Sequence, residues 1–93
     1  MSRIHEIYLN LEFCDDVILG RKSFEIREND RGYQTGDFIK FKANSGSLNS
    51  SLNEKARNHP INNEVFRIEY MLNGWGIENG YVALAIKIYR GEE

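Results

Sequence analysis

Apolar and polar residues alternate along five short segments of the chain, a pattern typical of strands that bury one face. The strands predicted from this pattern cover residues 3–9, 23–27, 38–42, 64–72 and 81–89. In the first strand His5, Ile7 and Leu9 share one face, and in the third strand Ile39 and Phe41 are expected to point inward.

The second predicted strand alternates as cleanly as the others. Phe24 and Ile26 fall on one face, and Ser23, Glu25 and Arg27 fall on the other. The alternation predicts a half-buried strand.

The last two strands are joined by a glycine-rich segment, 73–80, which holds the only tryptophan, Trp75. Both strands are rich in β-branched and aromatic residues. The residues that share one face are Phe66, Ile68 and Tyr70 in the fourth strand and Val82, Leu84, Ile86 and Ile88 in the fifth.

One clear helix is predicted between the first two strands, over residues 11–19. Asn10 can cap its N-terminus through the side-chain oxygen, and Gly20 supplies the left-handed residue that often ends a helix. Its apolar residues recur at helical spacing: Phe13, Cys14, Val17 and Ile18.

A polar segment separates the third and fourth strands. Half of the twenty residues in 44–63 are Ser or Asn, and no apolar period is sustained. We expect a long flexible loop there. A short helical turn at 52–58 is an alternative, because that stretch contains helix formers.

These elements favour one architecture. Five strands, one helix and no alternating strand-helix rhythm predict an α+β fold built on a small, mostly antiparallel β-barrel. The length of 93 residues fits a single domain over 1–93. A binding site in so small a domain should be a groove or a shallow pocket.

Composition narrows the cellular setting. The single cysteine, Cys14, excludes an internal disulfide and a zinc site built on paired cysteines, and it favours the reducing cytoplasm. Cys14 itself is expected to be a buried, small apolar residue. No segment is apolar for the roughly 18 residues that a membrane-spanning helix needs, so we expect no membrane partner.

The charge distribution is uneven. The net charge of −2 argues against a broad basic surface that coats nucleic acid without discrimination. Residues 21–42 nevertheless contain six basic against four acidic side chains. Mixed charge of this kind is most often a solvated face, so the excess is only a hint of a local cationic site.

Lys22, Glu25 and Arg27 form the most informative group in the sequence. A lysine just beyond a helix end, followed by a glutamate and an arginine on one strand face, suits an anionic or planar polar ligand. An ordinary surface charge network is an equally good explanation from the residues alone.

Segment 20–27 (GRKSFEIR), followed by Gly36 and Asp37 ahead of a strand, resembles the ASCH domain of the PUA-like superfamily, which carries a G-x-K-x-x-E-x-R motif after its first helix. Residues 5–6, 28–31 and 80–84 resemble a compact bacterial and phage branch catalogued as a domain of unknown function. The resemblance implies a five- or six-stranded barrel with a cleft between helix and barrel. It also implies RNA or a nucleotide-like molecule as the ligand.

One ASCH-like group is enzymatic and removes the acetyl group from acetylated cytidine, using a lysine, a threonine nucleophile and a glutamate. Lys22 matches the lysine, but Glu25 occupies the position of the nucleophile. We therefore expect a binding module with no catalytic residue assigned, and a small amidohydrolase acting on a modified nucleoside is the alternative. An accessory role through a protein partner is a third reading.

The resemblance leads us to assign Lys22, Glu25 and Arg27 to the ligand cleft, with Arg31 and Trp75 as further candidates. Trp75 can stack on a base or simply pack. No metal or cofactor is expected. His5 and His59 are isolated in sequence, and the acidic residues Asp15, Asp16 and Asp30 lack calcium-loop spacing.

Overall fold

The computed structural model describes residues 2–91. Its strands are β1 (Ile4–Asn10), β2 (Phe24–Glu28), β3 (Phe38–Asn44), β4 (Phe66–Leu72) and β5 (Tyr81–Ile88). Its helices are α1 (Leu11–Ile18), α2 (Ser50–Arg57) and a 3-10 helix at Pro60–Asn63. None of the helices within 2–91 is both long and apolar enough to cross a membrane.

The five strands form one sheet in the order β1-β3-β4-β5-β2. β1 and β3 are parallel, and the other three neighbouring pairs are antiparallel, as the sequence predicted for most of the sheet. The sheet curls into a half-barrel with β1 and β2 as its two edges. The fold is therefore a mixed α+β domain whose sheet stays open along one seam.

The core lies on the concave face of the sheet. The inward positions predicted for β1 and β3 are confirmed, since Ile7, Leu9, Ile39 and Phe41 are all buried. Val82, Leu84 and Ile86 fill the same layer from β5.

An alternating strand usually buries its apolar face, but β2 buries the face that carries Glu25. Its charged residue Glu25 is only 4% exposed, whereas Phe24 and Ile26 are 49% and 52% exposed. The neighbouring strand explains this, because Glu25 lies opposite Leu84 in the antiparallel register. Residues directly opposite one another share a face, so burying the apolar side of β5 turns Glu25 inward.

A β-bulge corrects the prediction for β4. The register shifts between Ile68 and Tyr70, and the extra residue reverses the alternation beyond that point. Tyr70, expected to face inward with Phe66 and Ile68, is 63% exposed, and Met71 packs against the core instead.

Helix α1 begins and ends close to the predicted positions, and two of its residues, Cys14 and Val17, are buried. Gly20 has a φ of +81°, as expected at a helix end. Asn10 is the N-cap residue, as predicted, but its side chain makes no capping hydrogen bond. Asn10 is still the last residue of β1, where it lies opposite Asn44.

Segment 44–63 holds α2 and the 3-10 helix, which corrects the expectation of a long flexible loop and agrees more closely with the alternative of a helical turn at 52–58. Asn49 caps α2, since its side chain accepts from the amides of Ser51 and Leu52. The Asn62 side chain accepts from the Ala43 amide at 2.8 Å and donates to the Ala56 carbonyl at 2.8 Å. The side-chain amides of Asn49 and Asn62 thus stabilise a segment whose composition predicted a loop.

Candidate functional site

The carboxylate of Glu25 joins two cations at the corner where the chain leaves α1 and enters β2. Its Oε1 pairs with Nζ of Lys22. Its Oε2 accepts from Arg27 Nε at 2.9 Å and lies 2.8 Å from Arg27 Nη2. The Lys22 amide donates to the Asp16 carbonyl at 3.0 Å, which fixes the corner on α1. Two positive charges are thus held beside one buried carboxylate.

Arg27 also bridges the open seam of the half-barrel. Its Nη2 donates to the backbone carbonyl of Tyr8 at 2.7 Å, which connects β2 to β1. The side chain is 25% exposed, and these contacts occupy Nε and Nη2. The remaining terminal nitrogen, Nη1, takes no part in them.

Lys22 is positioned by aromatic rings as well as by charge. Its Nζ donates to the Phe24 carbonyl at 2.8 Å and lies 4.8 Å from the centroid of the Phe24 ring. The Phe13 ring centroid is 5.2 Å away. An ammonium has three donors, and the Phe24 carbonyl and Glu25 take two of them. The third is not taken by either of these two acceptors.

These residues surround a cleft of about 360 Å³ between the two edge strands. Two cations against one carboxylate leave it with one net positive charge. Aromatic side chains of Tyr8, Phe13 and Phe24 supply faces on which a planar group can stack. The lining residues are Tyr8, Leu9, Asn10, Phe13, Lys22, Phe24, Glu25, Ile26 and Arg27.

Comparison with known proteins places the chain in a family. The model of a family described as a domain of unknown function, DUF3850, matches residues 4–86, which include the whole cleft and all of the sheet except the end of β5. This chain belongs to the DUF3850 family.

A curated relative comes from a bacteriophage. The chain is 43% identical over 39 residues to the "Uncharacterized 12.9 kDa protein in GpA 3'region" of Escherichia phage P2. The match covers 42% of this chain and 36% of the phage protein. The chain therefore matches only about a third of the length of this relative.

The DUF3850 cleft brings together three of the five residues expected at the site. Lys22, Glu25 and Arg27 converge there, whereas Arg31 and Trp75 are not among its lining residues. The Arg31 carbonyl accepts from Arg3 Nη2 at 2.8 Å. Trp75 is 89% exposed in the loop between β4 and β5, with a φ of +54°. A ligand role for these two residues stays a prediction.

Sequence reasoning missed the aromatic and main-chain parts of the DUF3850 cleft. Tyr8 lies on the outward face of β1, and its contribution of a carbonyl to Arg27 depends on the curl of the sheet. The helical spacing of Phe13 groups it with the apolar residues of α1, yet it is 37% exposed and borders the cleft. The signal in the sequence that could have suggested a stacking surface is the pair of phenylalanines on either side of Lys22, Phe13 in the helix and Phe24 at the start of the strand.

Sequence reasoning also missed a second polar cluster, which is buried at the start of β1. His5 Nε2 lies 2.9 Å from Asp37 Oδ2, and each side chain is 3% exposed. The amides of Arg3 and Gln34 also donate to the Asp37 carboxylate, both at 3.1 Å. The Tyr33 ring packs on His5 with centroids 4.7 Å apart. The cluster fixes the turn before β3 on the start of β1.

The pKa of two members of this cluster is shifted. Burial acts to raise the pKa of Asp37, but hydrogen bonds from His5 and from the Arg3 and Gln34 amides outweigh it and lower the pKa from 3.8. Burial raises the pKa of the Tyr33 hydroxyl, partly opposed by the nearby charges of Arg27 and Arg31. Asp37 is thus held as a carboxylate.

The other sequence candidates have structural partners. His59 Nε2 lies 2.8 Å from Asp15 Oδ1, which ties the 3-10 segment to α1. Cys14 is fully buried, and burial, with the nearby charges of Asp15 and Glu25, raises the pKa of its thiol to about 11. Within residues 2–91, no three His, Cys, Asp or Glu side chains form a group that could hold a metal ion.

Proposed function

We propose that this DUF3850 domain binds RNA or a nucleotide-like ligand in the cleft between β1 and β2. The observation that carries the proposal is the seam itself, where Lys22 and Arg27 are fixed by Glu25 beside exposed aromatic rings. A fixed cation recognises a phosphate or a base edge, and a ring face stacks on a base. The cleft combines both kinds of contact.

We further propose that the half-barrel is a PUA-like fold of the ASCH type. Support comes from the order of the motif residues, since Gly20, Lys22, Glu25 and Arg27 follow the first helix and enter the second strand. Lys22, Glu25 and Arg27 all line the cleft between helix and sheet. We propose a cytoplasmic location, where RNA is available and a free thiol such as Cys14 remains reduced.

The side chains lining the cleft favour binding over hydrolysis. They include no serine, threonine or cysteine, and Ser23 lies outside the lining. Glu25 is engaged by two cations, so its carboxylate serves to position them. The lining therefore lacks the serine, threonine or cysteine that usually attacks an acyl group in covalent hydrolysis.

The test is RNA binding by the cleft variant Lys22→Gln/Arg27→Gln. Fluorescence anisotropy with labelled single-stranded RNA of random sequence should show salt-dependent affinity for the wild-type protein. The variant should lose roughly tenfold or more in affinity and show a shallower salt slope. Binding of a mixture of the four nucleoside monophosphates should fall in parallel.

Arg21→Gln is the matched control, because Arg21 is adjacent in sequence but pairs with Asp16 outside the cleft. Its affinity should equal that of the wild type. Thermal unfolding of every variant separates lost binding from lost structure. The proposal fails if the wild type shows salt-sensitive affinity for neither the RNA pool nor the mononucleotides. It also fails if the folded cleft variant binds as tightly as Arg21→Gln.

A further inference from the structure

A second and larger depression lies beside the cleft, between β3 and helix α2. Its volume is about 780 Å³, roughly twice that of the cleft. It exists because β4 pairs with β3 only at Phe38 and Ile39, which leaves the rest of β3 bordered by α2 and the 3-10 segment. We call it the α2 groove.

The charge of the α2 groove is strongly one-sided. Lys40, Lys42 and Arg57 line it, and Glu6 is the one acidic residue among its lining side chains. All three cations are exposed, and none forms a salt bridge within the described chain, 2–91. Lys22 and Arg27 in the cleft, by contrast, share the carboxylate of Glu25.

Tyr8 connects the two depressions. Its side chain is 60% exposed and borders both the cleft and the α2 groove. Lys42 Nζ lies 6.0 Å from the centroid of its ring. A chain-like anion that leaves the cleft past Tyr8 would therefore meet the unpaired cations of the groove.

Resting on the proposed function, we infer that the α2 groove binds the phosphate backbone of single-stranded RNA whose adjoining nucleotide occupies the cleft. The order of the parts matches this ligand: a small pocket for one unit, an exposed ring at the junction and a row of cations beyond it. Duplex RNA fits poorly, because a nucleotide must be unpaired to enter a cleft of about 360 Å³. The ligand class is therefore a single strand longer than one nucleotide.

The inference is tested with the groove variant Lys40→Gln/Lys42→Gln/Arg57→Gln. The probes are the mononucleotide mixture and labelled random single-stranded RNA from the dinucleotide upward, to the roughly 4 to 16 nucleotides that single-strand-binding barrels occupy. Wild-type affinity should rise with RNA length. In the variant, the rise should be lost and the salt slope reduced by about 2, since each phosphate contact on a single strand contributes about 0.7.

Mononucleotide affinity should be unchanged in the groove variant, because the cleft is intact. Lys55→Gln is the control, since Lys55 lies on α2 but does not line the groove. If the groove variant binds long RNA as Lys55→Gln does, the inference is overturned while the proposed function stands. If the wild type binds neither RNA nor mononucleotides, both are overturned. Equal wild-type affinity for mononucleotides and long RNA overturns the inference alone.

Discussion

Arg27 on β2 donates to the main-chain carbonyl of Tyr8 on β1 at 2.7 Å, although these two edge strands do not pair in the sheet. The bond spans the seam of the half-barrel at the place where the cleft opens. One guanidinium therefore connects two strand edges and also lines the cleft. The proposed binding site and the contact across the seam share this residue.

Replacing Arg27 should destabilise the fold more than replacing a surface arginine. Arg27→Ala removes charge-assisted bonds to Glu25 and Tyr8, so we expect a loss of about 2 kcal/mol in the free energy of unfolding. Arg27→Lys should recover only part of the lost stability. A lysine keeps the positive charge but lacks the planar fork with which arginine reaches both Glu25 and Tyr8. Urea denaturation measures the difference. Arg21→Ala, in an exposed pair, should cost at most about 1 kcal/mol, and an equal loss in both variants would contradict the bridging role.

The junction role of Tyr8 can be tested against a tyrosine of similar exposure. Tyr8 is 60% exposed beside the cleft, and Tyr70 is 63% exposed on β4 outside both depressions. If Tyr8 stacks on a base, Tyr8→Ala should weaken RNA binding by about 1 to 3 kcal/mol, and Tyr70→Ala should leave it unchanged. Fluorescence anisotropy compares the two variants. Equal effects would show that the ring of Tyr8 has no special contact with RNA.

The His5–Asp37 cluster should make stability depend on acid pH. The folded state lowers the pKa of Asp37 from 3.8, so the unfolded state takes up its proton first as the pH falls. The stabilisation is complete above about pH 5 and is lost progressively as the pH drops through the folded pKa. Thermal unfolding across this range should show the loss.

Asp37→Asn should remove this part of the acid dependence and cost about 2 kcal/mol at neutral pH, because an amide cannot accept all three hydrogen bonds. Asp30→Asn is the control, since Asp30 is an exposed carboxylate. An unchanged acid profile in Asp37→Asn would show that other carboxylates account for the slope.

Cys14 should be unreactive in the native protein. It is fully buried and its thiol pKa is raised to about 11, so little thiolate is present at mildly alkaline pH. Iodoacetamide should therefore modify Cys14 only after denaturation in guanidinium chloride, as read by mass spectrometry. Rapid modification of the native protein would indicate that α1 opens to expose the thiol.

Much of the fold could be predicted from local pattern. The period-two faces of β1 and β3 and the spacing of Cys14 and Val17 in α1 are local properties, and each is confirmed by burial. The triplet Lys22, Glu25 and Arg27 was also predictable as a group, because a helix end and one strand face place the three residues near one another. These features depend only on neighbouring residues.

The remaining features required the tertiary structure. Glu25 turns inward because β5 must bury Leu84, and Tyr70 turns outward because a bulge reverses the alternation of β4. The sequence of 44–63 predicts a loop, because the hydrogen bond from the Ala43 amide to the Asn62 side chain forms only in the folded chain. Local pattern alone was enough to predict the strands, the first helix and the charged triplet. Only the fold brought Tyr8 to Arg27, because that contact joins opposite edges of one curled sheet.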